Sequence, residues 1–186
     1  MGKQYEQLSA RYINFIEQQK IFFVGTAATT GKVNISPKGG DSLMVLSPSQ
    51  VVWLNVTGSG NETSAHVQMS PRMTLMFCSY DGAPLILRVY GVAKVIHKTD
   101  PLWDSYINLF VSNISARQLY LLDIELVLSS CGTVVPLFDY VQGRTEMNAW
   151  VDKKGAQGIE KYWLAKNRLS LDGFETNIAT LNGADD

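Results

Sequence analysis

Cysteine, histidine and net charge are all scarce in this chain. It has two cysteines, two histidines and a formal charge of -1. Cys78 and Cys131 form no CxxC pair, and each lies in or beside an apolar run. They read as buried thiols of a reducing compartment, not as a disulfide framework. His66 and His97 have no Cys, Asp or Glu at metal-ligand spacing, so no metal site is expected. The near-neutral balance supplies no global basic field for nucleic acid or an anionic membrane. No apolar run approaches the length of a membrane span, and the first residues carry no apolar leader, so a cytoplasmic protein is expected. The glycine patterns of P-loops, dinucleotide-binding turns and nucleophile elbows are missing too.

What is present is an ordinary globular balance, with 46% apolar and 18% charged residues over 186 positions. That length suits one domain with a full core. We expect it to span residues 1–180, followed by a short, polar, acidic and disordered tail at 181–186.

Leu8, Tyr12, Ile13, Phe15 and Ile16 recur at helical spacing and predict an N-terminal helix ending near Lys20. Runs rich in β-branched and aromatic residues then predict strands at Ile21–Ala27, Val33–Ser36, Leu43–Leu46, Val51–Val56, Arg72–Ser79, Leu85–Ile96 and Leu119–Ser129. Pro37 and Gly39-Gly40 are expected to break the second of these. Gly91 predicts a bulge or bend inside a long strand. A helix is expected from Glu62 to Met69 with Asn61 as its N-cap. Another should begin at Asp100-Pro101, and two more should flank Gly155. Between Thr133 and Gly143 the chain is apolar but irregular. Six or seven strands with few long helices between them argue for an antiparallel β-barrel with flanking helices.

The chemistry is expected around Thr57-Gly58-Ser59-Gly60-Asn61-Glu62-Thr63-Ser64. Free N–H groups at a helix start, with hydroxyls on both sides, suit an anion, and phosphate best. The alternative is a turn with a helix cap. Lys38, which follows Ser36 and Pro37 at the end of a strand, is a candidate cation for a phosphate or for the carbonyl edge of a flavin, or else a solvated surface lysine.

Three segments carry a resemblance. They are Val33-Asn34-Ile35-Ser36-Pro37-Lys38-Gly39, Trp53 through His66, and Pro71-Arg72-Met73-Thr74-Leu75-Met76-Phe77. Leu87-Arg88-Val89-Tyr90-Gly91, Ser130-Cys131-Gly132 and Val135-Pro136-Leu137-Phe138-Asp139-Tyr140 extend it. The chain resembles the pyridoxamine 5'-phosphate oxidase-like family of flavin-binding split barrels. The resemblance implies a Greek-key split barrel and a homodimer with flavin mononucleotide (FMN) at the subunit interface. It places Lys38 near the flavin, Asn55 and Thr57 beside the ring system, and Ser59, Asn61, Thr63 and Ser64 on the phosphate loop. Ser36 and Arg72 complete the candidate set.

Two departures qualify the activity. The oxidase's Arg-Lys pair before Ala-His is replaced by Thr63-Ser64, preceded by Glu62. Hydroxyls bond a phosphate without neutralising it, so the expectation is either weak flavin affinity or compensating charge from Lys38, Arg72 or Arg144 of a partner copy. The C-terminal Arg-x-His is missing, and Asn167-Arg168-Leu169-Ser170-Leu171-Asp172-Gly173 stands there instead. A flavin-dependent oxidoreductase other than pyridoxamine 5'-phosphate oxidase is the leading expectation. The alternatives are a non-catalytic flavin carrier or sensor, or a relative that binds deazaflavin or haem.

Overall fold

The computed structural model describes residues 2–111 and 114–183. Its strands are β1 (Lys3–Tyr5), β2 (Ile21–Thr26), β3 (Asn34–Gly39), β4 (Leu43–Ser47), β5 (Gln50–Val56), β6 (Arg72–Cys78), β7 (Ile86–Ile96) and β8 (Ala116–Ser130). Its helices are α1 (Ala10–Gln18), α2 (Glu62–Met69), α3 (Trp103–Ile107), α4 (Glu146–Lys166) and α5 (Ile178–Leu181). The strands run in the order β3-β2-β6-β7-β8-β5-β4, every pairing is antiparallel, and β1 adds to β8. The sheet curls into a half-barrel with helices on its flanks, the split-barrel architecture.

Strand alternation sorts the side chains into two layers. Val51 and Trp53 of β5 join Tyr120 and Leu122 of β8 in the barrel interior, with Phe22, Val24, Leu75 and Phe77. Trp53 and Tyr120 are register partners whose rings stack at 4.5 Å and 14°. Val52, Leu54, Leu119 and Leu121 face the other way, onto Trp103 and Tyr106 of α3. A third cluster, Val151, Ile159, Trp163 and Ile178, holds α4 and α5 together.

Several expected details are present. The N-terminal helix is present as α1 and ends at Gln18, and Ser9, which the sequence did not single out, caps it by accepting the Tyr12 N–H. Helix α2 spans the expected residues, and Gly155 interrupts α4 with φ +63°. The β7–β8 register slips at Tyr90/Gly91. A Cβ at Gly91 would collide with the Asp123 carbonyl, so the bulge needs glycine.

Other details differ. β3 continues through Pro37, which pairs with Phe23, because β3 is an edge strand and the missing N–H costs no ladder bond. Helix α3 is a short piece that starts at Trp103. Asn61 stands at the start of α2 but makes no side-chain cap bond, because its amide is engaged across the fold. Both cysteines are free, but only Cys78 is buried; Cys131 is exposed beyond the end of β8. Within the expected tail of residues 181–186, Leu181 instead ends α5 and Asn182 is buried against His97, Lys98 and Arg117, whose hydrogen bonds hold it in place. Residues 184–186 lie outside the described residues. Among the described residues, no helix is long and apolar enough to cross a membrane.

Candidate functional site

The edge strand β3 turns a polar stripe inward. Asn34, Ser36 and Lys38 pair with Thr26, Val24 and Phe22, so they share the core-facing side, while Val33 and Ile35 are exposed. Lys38 Nζ lies 3.4 Å from Asn55 Oδ1 and 5.4 Å from the centre of the Trp53 ring. Burial, and next the nearby positive charge of Arg117, lower the Lys38 pKa to about 8. Ser36 Oγ is buried and has no hydrogen-bond partner among the described residues. A buried hydroxyl without a partner is costly in an otherwise complete network.

From Lys38 the network runs deep into the fold. Asn55 Nδ2 donates to Gln118 Oε1 at 3.1 Å, and Gln118 Nε2 donates to Asn61 Oδ1 at 3.1 Å. Asn61 Nδ2 donates to the Asn167 carbonyl at 3.3 Å. Arg117 enters from the start of β8, with Nε donating to Gln118 Oε1 at 2.9 Å and Nη1 to Asn167 Oδ1 at 2.7 Å. Asn167 Nδ2 holds the carbonyls of Gly58 (3.0 Å) and Ser59 (3.4 Å). The residue that follows α4 therefore fixes the loop before α2. Arg117 is 2% exposed, and burial brings its pKa down to about 10. Tyr120, buried behind it, has its pKa raised by desolvation.

The expected phosphate loop is mostly occupied by its own fold. Thr57 Oγ1 donates to the Ser115 carbonyl and accepts the Trp163 indole N–H at 2.8 Å. Thr63 Oγ1 accepts from Asn34, and Ser64 Oγ donates to the Thr176 carbonyl. Thr57, Asn61, Thr63 and Ser64 are all buried, whereas Ser59 is exposed. Thr57 and Ser64 thus bond Trp163 and Thr176 of the C-terminal segment, and Thr63 bonds Asn34 of β3.

The structure thus brings Ser36, Lys38, Asn55 and Asn61 to one polar network and sets Thr57, Thr63 and Ser64 around it. Arg72 is exposed, and its guanidinium bonds Ser70. Arg144 is also exposed, 3.5 Å from Glu146. His66 is buried with Nδ1 on Thr26 Oγ1 at 3.2 Å, and its Nε2 has no partner among the described residues.

Arg117, Gln118 and Asn167 are the residues the sequence reading missed. One signal was present: an Arg-Gln pair directly before the apolar run Leu119–Leu122. A charge inside a strand buried on both faces has to be there for a partner.

Against known proteins, the family model described as pyridoxamine 5'-phosphate oxidase matches residues 8–131. The chain is 41% identical over 188 aligned positions to the pyridoxamine 5'-phosphate oxidase family protein ustO of Aspergillus flavus, covering 91% of this chain and 76% of that one. A HupZ variant from Group A Streptococcus superposes with a TM-score of 0.54 at 14% identity, covering 66% of this chain and 98% of that one. A Lactobacillus delbrueckii protein described as a candidate pyridoxamine 5'-phosphate oxidase gives 0.54 at 20% identity, covering 66% and 94%. At those identities the two solved structures share the fold with this chain.

Proposed function

The chain belongs to the pyridoxamine 5'-phosphate oxidase family, and from that premise we propose that it binds FMN and acts as a flavin-dependent oxidoreductase. The observation that carries this reading is the inward polar stripe of β3. There a half-buried lysine lies against Trp53 and Asn55, two positions along the strand from a buried hydroxyl with no partner. An electron-rich heterocycle at that edge suits both groups. Lys38 would hold the carbonyl edge of the ring, with Asn55 orienting the ammonium, and Ser36 would complete its hydrogen bonding. The flavin itself supplies the hydride chemistry when bound.

The fit is poorer at the other end of the ligand. The hydroxyls of Thr57, Thr63 and Ser64 are engaged within the chain, which leaves Ser59 as the free hydroxyl of the loop. The departures at Thr63-Ser64 and at Asn167–Gly173 argue for a substrate other than pyridoxamine 5'-phosphate. We assign the exposed apolar segment around Val134–Val141 to a second copy of the chain in a homodimer.

The visible spectrum of the purified protein tests the reading. Flavin bands with turnover of reduced nicotinamide support an oxidoreductase. Flavin bands without turnover with any donor tried support a carrier or sensor. Haem or deazaflavin bands, or a colourless protein that takes up no added FMN, overturn the flavin reading.

A further inference from the structure

Arg117 owes its direction to a second β-bulge. Asn55 pairs with Gln118, but the next residue, Val56, pairs with Ala116, so Arg117 is the extra residue on β8. Regular alternation would send Arg117 and Gln118 to opposite faces of the sheet. The bulge re-aims the arginine, and its Nε bonds the side chain of its own neighbour, Gln118. Nη1 reaches Asn167 and, at 3.5 Å, the Gly58 carbonyl, while Nη2 bonds nothing among the described residues.

The partners of this guanidinium are all neutral. Among the described residues no carboxylate lies within ion-pair distance of Arg117 or of Lys38. Two cations thus sit close enough for one to depress the pKa of the other. Glu62 is the one carboxylate whose field reaches both. It folds back so that its two oxygens fill the space a β-carbon on Gly60 would need. A buried cation without a counter-charge is among the least favourable arrangements in a fold. Here Arg117 reaches the Gly58 carbonyl with no carboxylate in ion-pair distance, and the half-buried Glu62 carboxylate stands beside Gly60 of the same turn.

We propose that Arg117 is the counter-charge for a phosphate-class anion bound at the Gly58–Gly60 turn, and that the Glu62 carboxylate competes with that anion for the same charge. The inference rests on the flavin reading only for the anion's source, which is either a flavin phosphate or free phosphate. It accounts for charge neutralisation in a loop where Thr63-Ser64 stands in place of a basic pair.

The test is calorimetric titration of the full chain and its variants E62Q and R117Q with FMN, riboflavin and inorganic phosphate, with circular dichroism to check folding. One charge-assisted bond is worth about tenfold or more in affinity. E62Q should therefore bind FMN about tenfold tighter than the unaltered chain, and R117Q at least about tenfold weaker. At pH 6, where Lys38 stays charged in every variant, riboflavin should respond to neither change. If R117Q does not fold, E62Q alone decides, because it is isosteric at a half-buried position. Equal responses for FMN and riboflavin, or no response of FMN to E62Q, overturn the inference and leave flavin binding standing. If no variant binds either flavin, the flavin reading fails, and the inference then stands or falls on phosphate. It is supported if phosphate binds E62Q more tightly than the unaltered chain, and overturned if it does not.

Discussion

Arg117 Nη1 and Asn167 Oδ1 are 2.7 Å apart, a hydrogen bond between the bulge of β8 and the residue that follows the last long helix. The same Asn167 holds the carbonyls of Gly58 and Ser59, and its own carbonyl accepts from Asn61 and Thr176. One asparagine therefore couples strand, loop and C-terminal segment. Replacing it by alanine strips a neutral partner from a buried guanidinium and frees two loop carbonyls. Asn167→Ala should cost about 2–4 kcal/mol, the range for losing bonds to a charged group and stranding buried polar atoms. Urea unfolding monitored by tryptophan fluorescence measures this, and a cost under about 0.5 kcal/mol would mean that water replaces the amide.

His97 predicts an acid limit to stability. It is 4% exposed, its Nδ1 lies 3.2 Å from Asn182 Oδ1, and burial lowers its pKa from 6.5 to about 4. Between those values the unfolded chain binds more protons than the folded one, so stability rises with pH across that window and is complete above it. As pH falls from 6.5 towards 4, the folded state should lose about 3 kcal/mol. Unfolding curves at pH 7, 5.5 and 4.5 report the slope, and His97→Gln should flatten it.

The legibility of the fold follows the same division between local and long-range causes. Alternation, helical period and glycine signals are local, so the limits of α2, the break at Gly155 and the slip at Gly91 were readable. Pro37 was misread because its effect depends on whether β3 lies at an edge, which is a property of the sheet and not of the strand. Arg117 was missed for a similar reason. At the start of a strand an arginine ordinarily reaches water, and only the register against β5 turns it inward. The hydroxyls of Thr57 and Ser64 looked available because their partners, Trp163 and Thr176, lie more than 100 residues away in sequence. For that reason a charge placed at Thr63, which is buried, would test folding before it tested ligand binding.

Gly91 predicts a backbone cost. Its position opposite the bulge leaves no room for a β-carbon beside the Asp123 carbonyl, and neither backbone can move without breaking the β7–β8 ladder. Gly91→Ala should destabilise the protein by at least about 2 kcal/mol, in the range of overpacking. Thermal melting should show this, and an unchanged melting temperature would refute the close approach.

The segment after β8 predicts self-association. Val134 and Val141 are 91% and 87% exposed, and Leu137, Phe138 and Tyr140 are also open to solvent. The segment is anchored along the barrel by the Phe138 N–H on the Tyr80 carbonyl and by Lys20 over the Tyr140 ring. A contiguous apolar surface of this kind marks an interface. Light scattering should give a dimer at micromolar concentration, and Val134→Asp with Val141→Asp should shift it to monomer. A monomeric unaltered chain would remove the segment from any role in assembly.

Lys38 predicts how flavin affinity depends on pH, and the sign follows from its position. Burial and Arg117 place its pKa near 8 instead of the ordinary 10.5, while Glu62 acts the other way. Below about 8 the ammonium is charged and faces Asn55 and the Trp53 ring; above it the charge is lost. A ligand carbonyl accepts more strongly from the charged form, by about 1.5–3 kcal/mol for a charge-assisted bond, or roughly tenfold to a hundredfold in affinity. Affinity should therefore fall as pH rises from 7 to 9. If Lys38 holds the ring edge, FMN and riboflavin should fall together, in contrast to the FMN-only response expected from Arg117. Lys38→Met should abolish the slope. Glu62→Gln should move its midpoint to lower pH, because it removes the one charge that favours the ammonium. Fluorescence-quenching titrations at four pH values measure all of this. A flat profile for riboflavin beside a falling one for FMN would transfer Lys38 from the ring to the phosphate, and flat profiles for both would remove it from the site.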